Sequence, residues 1–278
     1  MKSPLRLLNA LIDHHRLAER RRQVEWELGV IFKTAITLQP TLSGGGFDRM
    51  YLAHRDSDPM QTLASVRINV PGRNVAAKEP NLPRLALSAE NRIHREARAY
   101  RQLSTIGLTP RLIARGDFFL ANHWLSWPRF SDILRHHGHL LWEILPVVLN
   151  AIREMHENDV VHLDLNDGNI LVAPNFQSAV IIDFEYAPLH SMIPFDQQRF
   201  DFLRFAHNLL KPRRGREAAF QQPQKFVDLF ANYAPEAGYG IPDAMDSAWF
   251  SRVNDHPAIR KGFEEIFGVL DIKSRAAA

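Results

Sequence analysis

A chain of 278 residues with 45% hydrophobic and 23% charged residues has the composition of an ordinary soluble globular protein, long enough for one large domain or two smaller lobes. The absence of cysteine excludes disulfides and thiolate metal sites and is typical of a reducing compartment, so the cytoplasm is the expected location. No apolar run reaches the roughly 20 residues of a membrane-spanning helix, and the N-terminus lacks a secretory signal pattern. Any membrane contact is therefore expected to be peripheral.

The formal net charge is only +3, yet basic residues cluster at 16–22, 92–101 and 211–216. Such clusters can meet phosphates, anionic lipid or nucleic acid, although most are solvated faces. These runs lack the interleaved aromatic residues of a nucleic-acid-binding surface, so no nucleic-acid partner is expected.

Residues 5–33 are predicted to form a helix, because leucine, isoleucine and valine recur at helical spacing near both of its ends. Its middle, residues 14–23, is mostly polar and basic. The helix can therefore pack on the rest of the chain or lie on a membrane surface, and the interruption of its apolar stripe favours packing.

From residue 35 the pattern changes to strands, at 35–39 and 49–53, with a glycine cluster between them at Gly44, Gly45 and Gly46. Glycine allows backbone N–H groups to approach phosphate oxygens closely. The cluster is therefore a candidate nucleotide-binding loop, with a plain hairpin turn as the alternative.

The remaining elements are mixed at first and then mostly helical. Two candidate strands, 64–70 and 75–78, precede a helix at 89–103. Strands are also predicted at 110–114 and 117–120, an extended link at 124–128, and helices at 140–157, 195–210, 223–232, 243–252 and 257–270.

The most informative stretch runs from His162 to Val172, His-Leu-Asp-Leu-Asn-Asp-Gly-Asn-Ile-Leu-Val. It matches the kinase catalytic-loop pattern H-x-D-L-x-x-x-N, in which the Asp accepts the proton of the substrate hydroxyl and the Asn holds a metal ion. Asp164 and Asn169 have the spacing for these two roles. The run predicts a phosphoryl-transfer site.

A second acid lies at the end of the apolar run 179–182, where a kinase presents a metal-binding Asp. Asp183 is that residue, and short strands at 171–172 and 180–182 are expected to form a hairpin that brings it towards Asn169. Asn169 and Asp183 are thus the predicted Mg²⁺ ligands.

Such a site also needs a cation for the α- and β-phosphates of ATP, paired with a Glu from the following helix. Val75-Ala76-Ala77-Lys78 matches the V-A-x-K pattern, and Glu96 lies at a suitable distance in the helix 89–103. The stretch 64–70 is a better strand by composition and would place Arg67 at that position. Lys78 with Glu96 is the favoured pair, and Arg67 stays open.

Two further sets of residues are given roles by the same comparison. The backbone of the link at Leu125 to Trp127 is expected to contact the adenine base, with a simple turn as the alternative. In kinases an Asp in the helix that follows the metal-binding Asp holds the catalytic-loop backbone. Asp201 is preferred to Asp196 for that role.

These motifs resemble the protein-kinase-like superfamily over almost the whole chain, with departures from regulated protein kinases. The usual Lys two residues after the catalytic Asp is Asn166, the third residue of the D-F-G motif is Glu185, and the segment before the next helix is too short for an activation loop. The phrases Asp164-Leu165-Asn166 and Ile182-Asp183-Phe184 look most like the bacterial lipopolysaccharide kinases that phosphorylate Kdo or heptose, and more loosely like aminoglycoside and choline phosphotransferases.

The resemblance implies an α+β, bilobal fold, with an N-terminal helical extension at 1–34, a β-rich N-lobe at 35–126 and a larger helical C-lobe at 127–278. It implies transfer of the γ-phosphoryl group of ATP, with Mg²⁺, to the hydroxyl of a glycolipid sugar at the cytoplasmic face of the inner membrane. A serine/threonine protein kinase, an aminoglycoside-type kinase and a non-catalytic pseudokinase binding module are the alternatives.

Overall fold

The computed structural model describes residues 15–41, 48–72, 84–190, 192–235 and 250–267. Contacts divide the chain into two compact units, one formed by Met1–Leu82 and Ala86–Ser126, the other by Pro83–Leu85 and Trp127–Ala278. The first is rich in strands and the second is mainly helical, so the expected α+β fold class, with a β-rich part followed by a larger helical part, is confirmed. Within the described ranges, no helix is both long and apolar enough to cross a bilayer.

The helices and strands follow one another in this order: α1 (Ala18–Phe32), β1 (Ile36–Pro40), β2 (Asp48–Arg55), β3 (Asp58–Asn69), β4 (Arg84–Ala86), α2 (Ala89–Leu103), β5 (Leu112–Arg115), β6 (Phe119–His123), α3 (Phe130–His136), α4 (Leu141–Glu157), β7 (Ile170–Val172), β8 (Ala179–Ile181), β9 (Tyr186–Pro188), α5 (Pro194–Leu209), α6 (Arg216–Gln221), α7 (Pro223–Ala231), α8 (Ser251–Asn254) and α9 (Pro257–Phe267).

The first unit is built on a five-stranded antiparallel sheet with the strand order β1-β2-β3-β6-β5. Side chains alternate between the faces of a strand, so one face of β2 and β3 is apolar. That face packs against α1, and the shared core contains Leu17, Val24, Leu28, Tyr51, Ala53, Ala64, Val66 and Ile68.

Two polar contacts fix α1 on this sheet. Arg20 Nη1 donates to the Asn69 carbonyl oxygen at 2.7 Å, and Glu25 Oε1 accepts from the Leu38 backbone N–H at 3.0 Å. Over residues 18–32 the helix therefore packs on the sheet, which is the alternative that the sequence favours. The predicted part at 5–14 lies outside the described residues.

Helix α2 begins where Ser88 caps it, with its side chain accepting from the Asn91 N–H at 3.3 Å. Its buried face repeats at helical spacing and includes Ile93, Ala97 and Tyr100. Glu96 lies on that same buried face. A buried acid in an apolar stripe needs a partner, so the position of Glu96 indicates a candidate functional site.

The second unit is organised by α4 and α5, which both begin and end within one residue of their predicted bounds. Pro194 starts α5 at a position where its fixed φ is favourable and its missing N–H costs nothing. An aromatic cluster joins α5 to α7 and α9, with Phe230 6.1 Å from Phe205 and 5.1 Å from Phe263, ring centre to ring centre. Gly262 allows α9 to approach α7, since a Cβ there would lie 2.4 Å from Val227 Cγ1.

The predicted hairpin around Pro174 is present: β7 and β8 pair in antiparallel register, with Ile170 opposite Ile181. Strands β4 and β9, which form a separate two-stranded sheet, were not predicted, because three-residue strands carry no periodic signal. Most of the predicted helix 243–252 lies outside the described residues. Among the described residues, Ser251–Asn254 form the short helix α8.

Candidate active site

The candidate catalytic loop, residues 162–169, is held from the buried side by Asp201 of α5. Its carboxylate accepts from the backbone N–H of His162 at 2.7 Å and from that of Leu163 at 2.6 Å, and it lies 3.1 Å from His156 Nε2. Asp201 is completely buried. The choice of Asp201 over Asp196 is confirmed, since Asp196 lies at the first turn of α5, near Arg199.

Leu163 has a left-handed backbone, with φ of 65°. A branched side chain rarely adopts this conformation, which costs free energy and persists only when its surroundings enforce it. The two bonds to Asp201 on either side of the 162–163 peptide supply that constraint. The loop therefore has a strained, fixed conformation immediately before Asp164.

Short polar contacts close the loop after Asp164. The side-chain amides of Asn166 and Asn169 both donate to the Asp164 carbonyl oxygen, at 3.0 and 3.4 Å. Asn166 Oδ1 also accepts from the Gly168 N–H at 2.9 Å. Asn166 thus serves to fold the loop.

Asn169 and Asp183 are brought together at the end of the β7–β8 hairpin. The Ile182 N–H donates to the Asn169 carbonyl oxygen at 2.9 Å, and Asp183 is the next residue, with φ of 79°. His162 Nε2 lies 2.9 Å from the Ile182 carbonyl oxygen, and its ring centre is 4.9 Å from that of buried Phe184. These contacts fix the segment on both sides of Asp183.

This pair suits Mg²⁺ chemically. Mg²⁺ prefers hard oxygen ligands and is commonly bound by one or two protein groups, with phosphate oxygens and water completing the shell. Asp183 supplies a carboxylate at a half-exposed position. The Asn169 amide nitrogen is a donor within the loop, so its amide oxygen is the ligand atom that it would offer.

Two arginines meet the carboxylate of Asp164 at one oxygen. Arg84 Nη1 lies 2.6 Å from Asp164 Oδ1, and Arg204 Nη2 lies 3.3 Å from the same atom. Arg84 also donates to the Leu163 carbonyl oxygen at 3.0 Å and lies over the Tyr186 ring, 3.7 Å from its centre. Asp164 is therefore a positioned, ion-paired carboxylate.

Neither arginine was identified from the sequence. Arg204 had a usable signal, because it lies three residues after Asp201 in a predicted helix and so falls on the same face. Arg84 had none, since its contact with Asp164 joins residues eighty positions apart through a three-residue strand.

A charged cluster surrounds Asp167 of the same loop. Arg214 Nη1 lies 2.5 Å from Asp167 Oδ2; burial raises the pKa of Asp167, and the charges of Arg214 and Lys211 oppose that rise. Burial also lowers the pKa of Lys211, and burial together with Arg252 lowers the pKa of His207 to about 3. His207 is therefore neutral at physiological pH and adds no charge to the cluster.

In the first unit, Glu96 pairs with Arg67. Arg67 Nη1 lies 3.0 Å from Glu96 Oε2 and 3.7 Å from Asp48 Oδ2. The third strand of the sheet is Asp58–Asn69, which carries Arg67. The candidate strand at 64–70 is present, because 64–69 pairs with both β2 and β6. The candidate strand at 75–78 and Lys78 lie outside the described residues and stay predictions.

The remaining predicted nucleotide contacts stay predictions. Gly44, Gly45 and Gly46 lie outside the described residues. Leu125 and Trp127 are both half-buried after the end of β6, where the Trp124 N–H donates to the Leu63 carbonyl oxygen at 3.2 Å.

Comparison with known proteins gives a narrow result. No family model matches the chain, and no curated protein matches its sequence. Among solved structures, it is similar to a double mutant of the PknI kinase domain from Mycobacterium tuberculosis, with 15% sequence identity and a TM-score of 0.48, over 83% of this chain and 94% of that one. The geometry of the site therefore has to indicate the function.

Proposed function

We propose that this chain is an ATP- and Mg²⁺-dependent phosphotransferase that moves the γ-phosphoryl group to a hydroxyl of a lipopolysaccharide core sugar, Kdo or heptose. The observation that carries the phosphotransferase proposal is the pairing of Asn169 with the Asp183 segment beside a loop that Asp201 holds from behind. A base and two metal ligands held close together in this way would suit phosphoryl transfer.

In the proposed reaction the acceptor oxygen forms a bond to the γ-phosphorus, the bond from that phosphorus to the β–γ bridging oxygen breaks, and ADP leaves. Asp164 orients the acceptor hydroxyl and takes its proton. Asn169 and Asp183 would hold the Mg²⁺ ion, which neutralises charge on the nucleotide phosphates. Catalysis then consists mainly of positioning and charge neutralisation.

Support for a sugar acceptor comes from the short segment between Phe184 and α5. It contains β9, whose Tyr186 ring lies under Arg84, and ends where α5 begins at Pro194. So little chain leaves no room for the long activation segment of a regulated protein kinase. The resemblance of the loop to lipopolysaccharide kinases supplies the choice among small acceptors.

The test is an ATP-consumption screen that offers core oligosaccharides, aminoglycosides and generic protein substrates to the same preparation. The proposal predicts turnover with core oligosaccharide, and a loss of turnover in Asp164→Ala with ATP affinity nearly unchanged, because Asp164 is assigned to the acceptor. Turnover with protein alone would favour the protein-kinase alternative. ATP binding without turnover of any acceptor would favour a pseudokinase.

Two residues are candidates for the cation that binds the α- and β-phosphates of ATP. Arg67 is proposed for this role, because it lies on β3 and pairs with the buried Glu96. A charge-assisted contact contributes roughly 1.5–3 kcal/mol. Arg67→Met is therefore expected to weaken ATP affinity or turnover at least about tenfold.

The matched variant is Lys78→Met, which removes the alternative cation in the same manner. Circular dichroism and the melting temperature check that both variants fold. A folded Arg67→Met protein with wild-type activity, together with an inactive Lys78→Met protein, would return the role to Lys78.

The proposal includes a peripheral contact between α1 and the cytoplasmic face of the inner membrane. Two large apolar side chains of α1 point to solvent, Trp26 with 70% and Val30 with 61% of its surface exposed. Arg22 and Lys33 lie about one turn to either side of this pair. Exposed aromatic and aliphatic groups flanked by basic residues suit an anionic bilayer surface.

Flotation with vesicles containing anionic phosphatidylglycerol tests this contact. The double variant Trp26→Ser, Val30→Ser is expected to lose most of the binding, because burial of these side chains supplies its apolar part. Met60→Ser is the control, since Met60 is an apolar side chain that is 91% exposed but belongs to β3 and not to α1. Equal binding by both variants would contradict the contact.

A further inference from the structure

Arg84 contacts both the loop that carries Asp164 and the segment that follows Asp183. Its guanidinium meets the Asp164 carboxylate, the Leu163 carbonyl oxygen and the face of Tyr186. Its side chain is only 7% exposed. The strand that carries it pairs with β9, which begins three residues after Asp183. The guanidinium therefore touches both the loop that holds the base and the segment that holds the metal ligand.

The loop itself lacks a cation at the position where protein kinases carry a Lys. Asn166 occupies that position. Its side-chain NH₂ donates to the Asp164 carbonyl oxygen, and its Oδ1 accepts from the Gly168 N–H. Charge that develops on the phosphoryl oxygens during transfer must be stabilised by a group that is already in place. Arg84 is a cation in direct contact with the proposed base.

Arg204 meets the same oxygen of Asp164 but comes from another direction. It lies on α5, the helix whose Asp201 and Asn208 hold the loop backbone at His162, Leu163 and Leu165 from the buried side. From this position Arg204 can hold the Asp164 carboxylate in place. Arg84 comes from the side of the Asp183 segment, through Tyr186.

We propose that Arg84 is a catalytic residue that binds the γ-phosphoryl group in the transition state and so replaces the missing Lys of the loop. The inference rests on the proposed phosphotransferase function. Its contacts with Asp164 and the Leu163 carbonyl oxygen are both made by Nη1. A guanidinium has five N–H donors in a fixed plane, so it can meet phosphoryl oxygens while it keeps these two contacts.

The test measures the affinity of Mg²⁺-ADP with and without fluoroaluminate, which mimics the transferring phosphoryl group. Wild type is expected to bind Mg²⁺-ADP more tightly with fluoroaluminate. Arg84→Met is expected to bind Mg²⁺-ADP as wild type does and to lose most of that added affinity, with a fall in turnover on the order of 10³-fold. Arg84→Lys, which keeps the charge without the planar fork, is expected to lie between them.

Arg204→Met is the matched control, because it removes the second guanidinium from the same carboxylate oxygen. It is expected to keep the fluoroaluminate gain. A wild-type protein that binds no Mg²⁺-ADP would contradict the proposed function itself. A wild-type gain that Arg84→Met retains would overturn the inference alone, and so would an equal loss of affinity with and without fluoroaluminate.

A melting-temperature scan accompanies each variant. If Arg84→Met does not fold, the comparison is made with Arg84→Lys and Arg84→Gln, which preserve much of the side-chain volume. The same ratio of affinities then decides: a gain unchanged in both variants overturns the role of Arg84 in the transition state, and a graded loss, larger in Gln than in Lys, supports it.

Discussion

Asp183→Ala is expected to lose Mg²⁺-dependent turnover by at least about a hundredfold, since a metal ion at a transferring phosphoryl group stabilises the transition state by several kcal/mol and each tenfold of rate corresponds to about 1.4 kcal/mol. The fold should persist. Asp183 is half-exposed at the end of a strand, and the neighbouring contacts of Ile182 and Phe184 do not use its side chain. Turnover against Mg²⁺ concentration and the melting temperature are the measurements.

Asn169→Ala is the companion variant, because it removes the second proposed ligand and leaves the carboxylate. Its loss should be smaller and should be partly recovered as Mg²⁺ is raised, whereas Asp183→Ala should not recover. A folded Asp183→Ala protein with wild-type turnover at low Mg²⁺ would remove Asp183 from the site.

The sequence was most informative where local pattern and tertiary packing agree. The helices α2 and α4 have long apolar stripes, and the predicted bounds differ from the observed ones by at most one residue. The β7–β8 hairpin was predicted because two short apolar runs flank Pro174 and each ends beside a motif residue. In the two helices the order of the residues shows the periodicity of burial, and in the hairpin the neighbouring motif residues supplied the signal.

The charged contacts of the site were much less predictable. The V-A-x-K letters at 75–78 matched a motif, but the choice of strand depended on whether 64–69 pairs with β6, which lies about fifty residues further along the chain. The contact between Arg84 and Asp164 is equally non-local. Ion pairs between distant segments follow from the completed fold, and no local spacing rule identifies them.

The loop motif therefore predicts a base and two metal ligands, whereas the ion pairs of the two arginines proposed above become visible only in the fold. Arg67 reaches Glu96 from β3, and Arg84 reaches Asp164 from β4. Under the proposed function, both arginines take roles for which a protein kinase uses lysine. An arginine at each place exchanges a mobile point charge for a planar group that can bind two oxygens at once.

Asp201→Ala is expected to lower the free energy of unfolding by about 3–5 kcal/mol, because it removes the acceptor of two buried backbone N–H groups and leaves them without a hydrogen bond. The affected groups belong to His162 and Leu163, and the second has the strained left-handed backbone. For a chain of this size the loss corresponds to a fall in melting temperature on the order of 10 °C. Chemical denaturation and calorimetry measure it.

Asp201→Asn distinguishes the acceptor role from simple filling of space. The amide has the same shape but turns an NH₂ group towards one of the two backbone N–H donors, so it should recover only part of the stability. Asp196→Asn is the control: this acid lies in the first turn of the same helix, where the interaction with the helix dipole contributes roughly 0.3–1 kcal/mol. Because the released loop carries Asp164, turnover in Asp201→Asn should fall by more than its ATP affinity. If Asp201→Asn and Asp196→Asn were equally stable and equally active, Asp201 would not be the residue that holds the loop in its strained conformation.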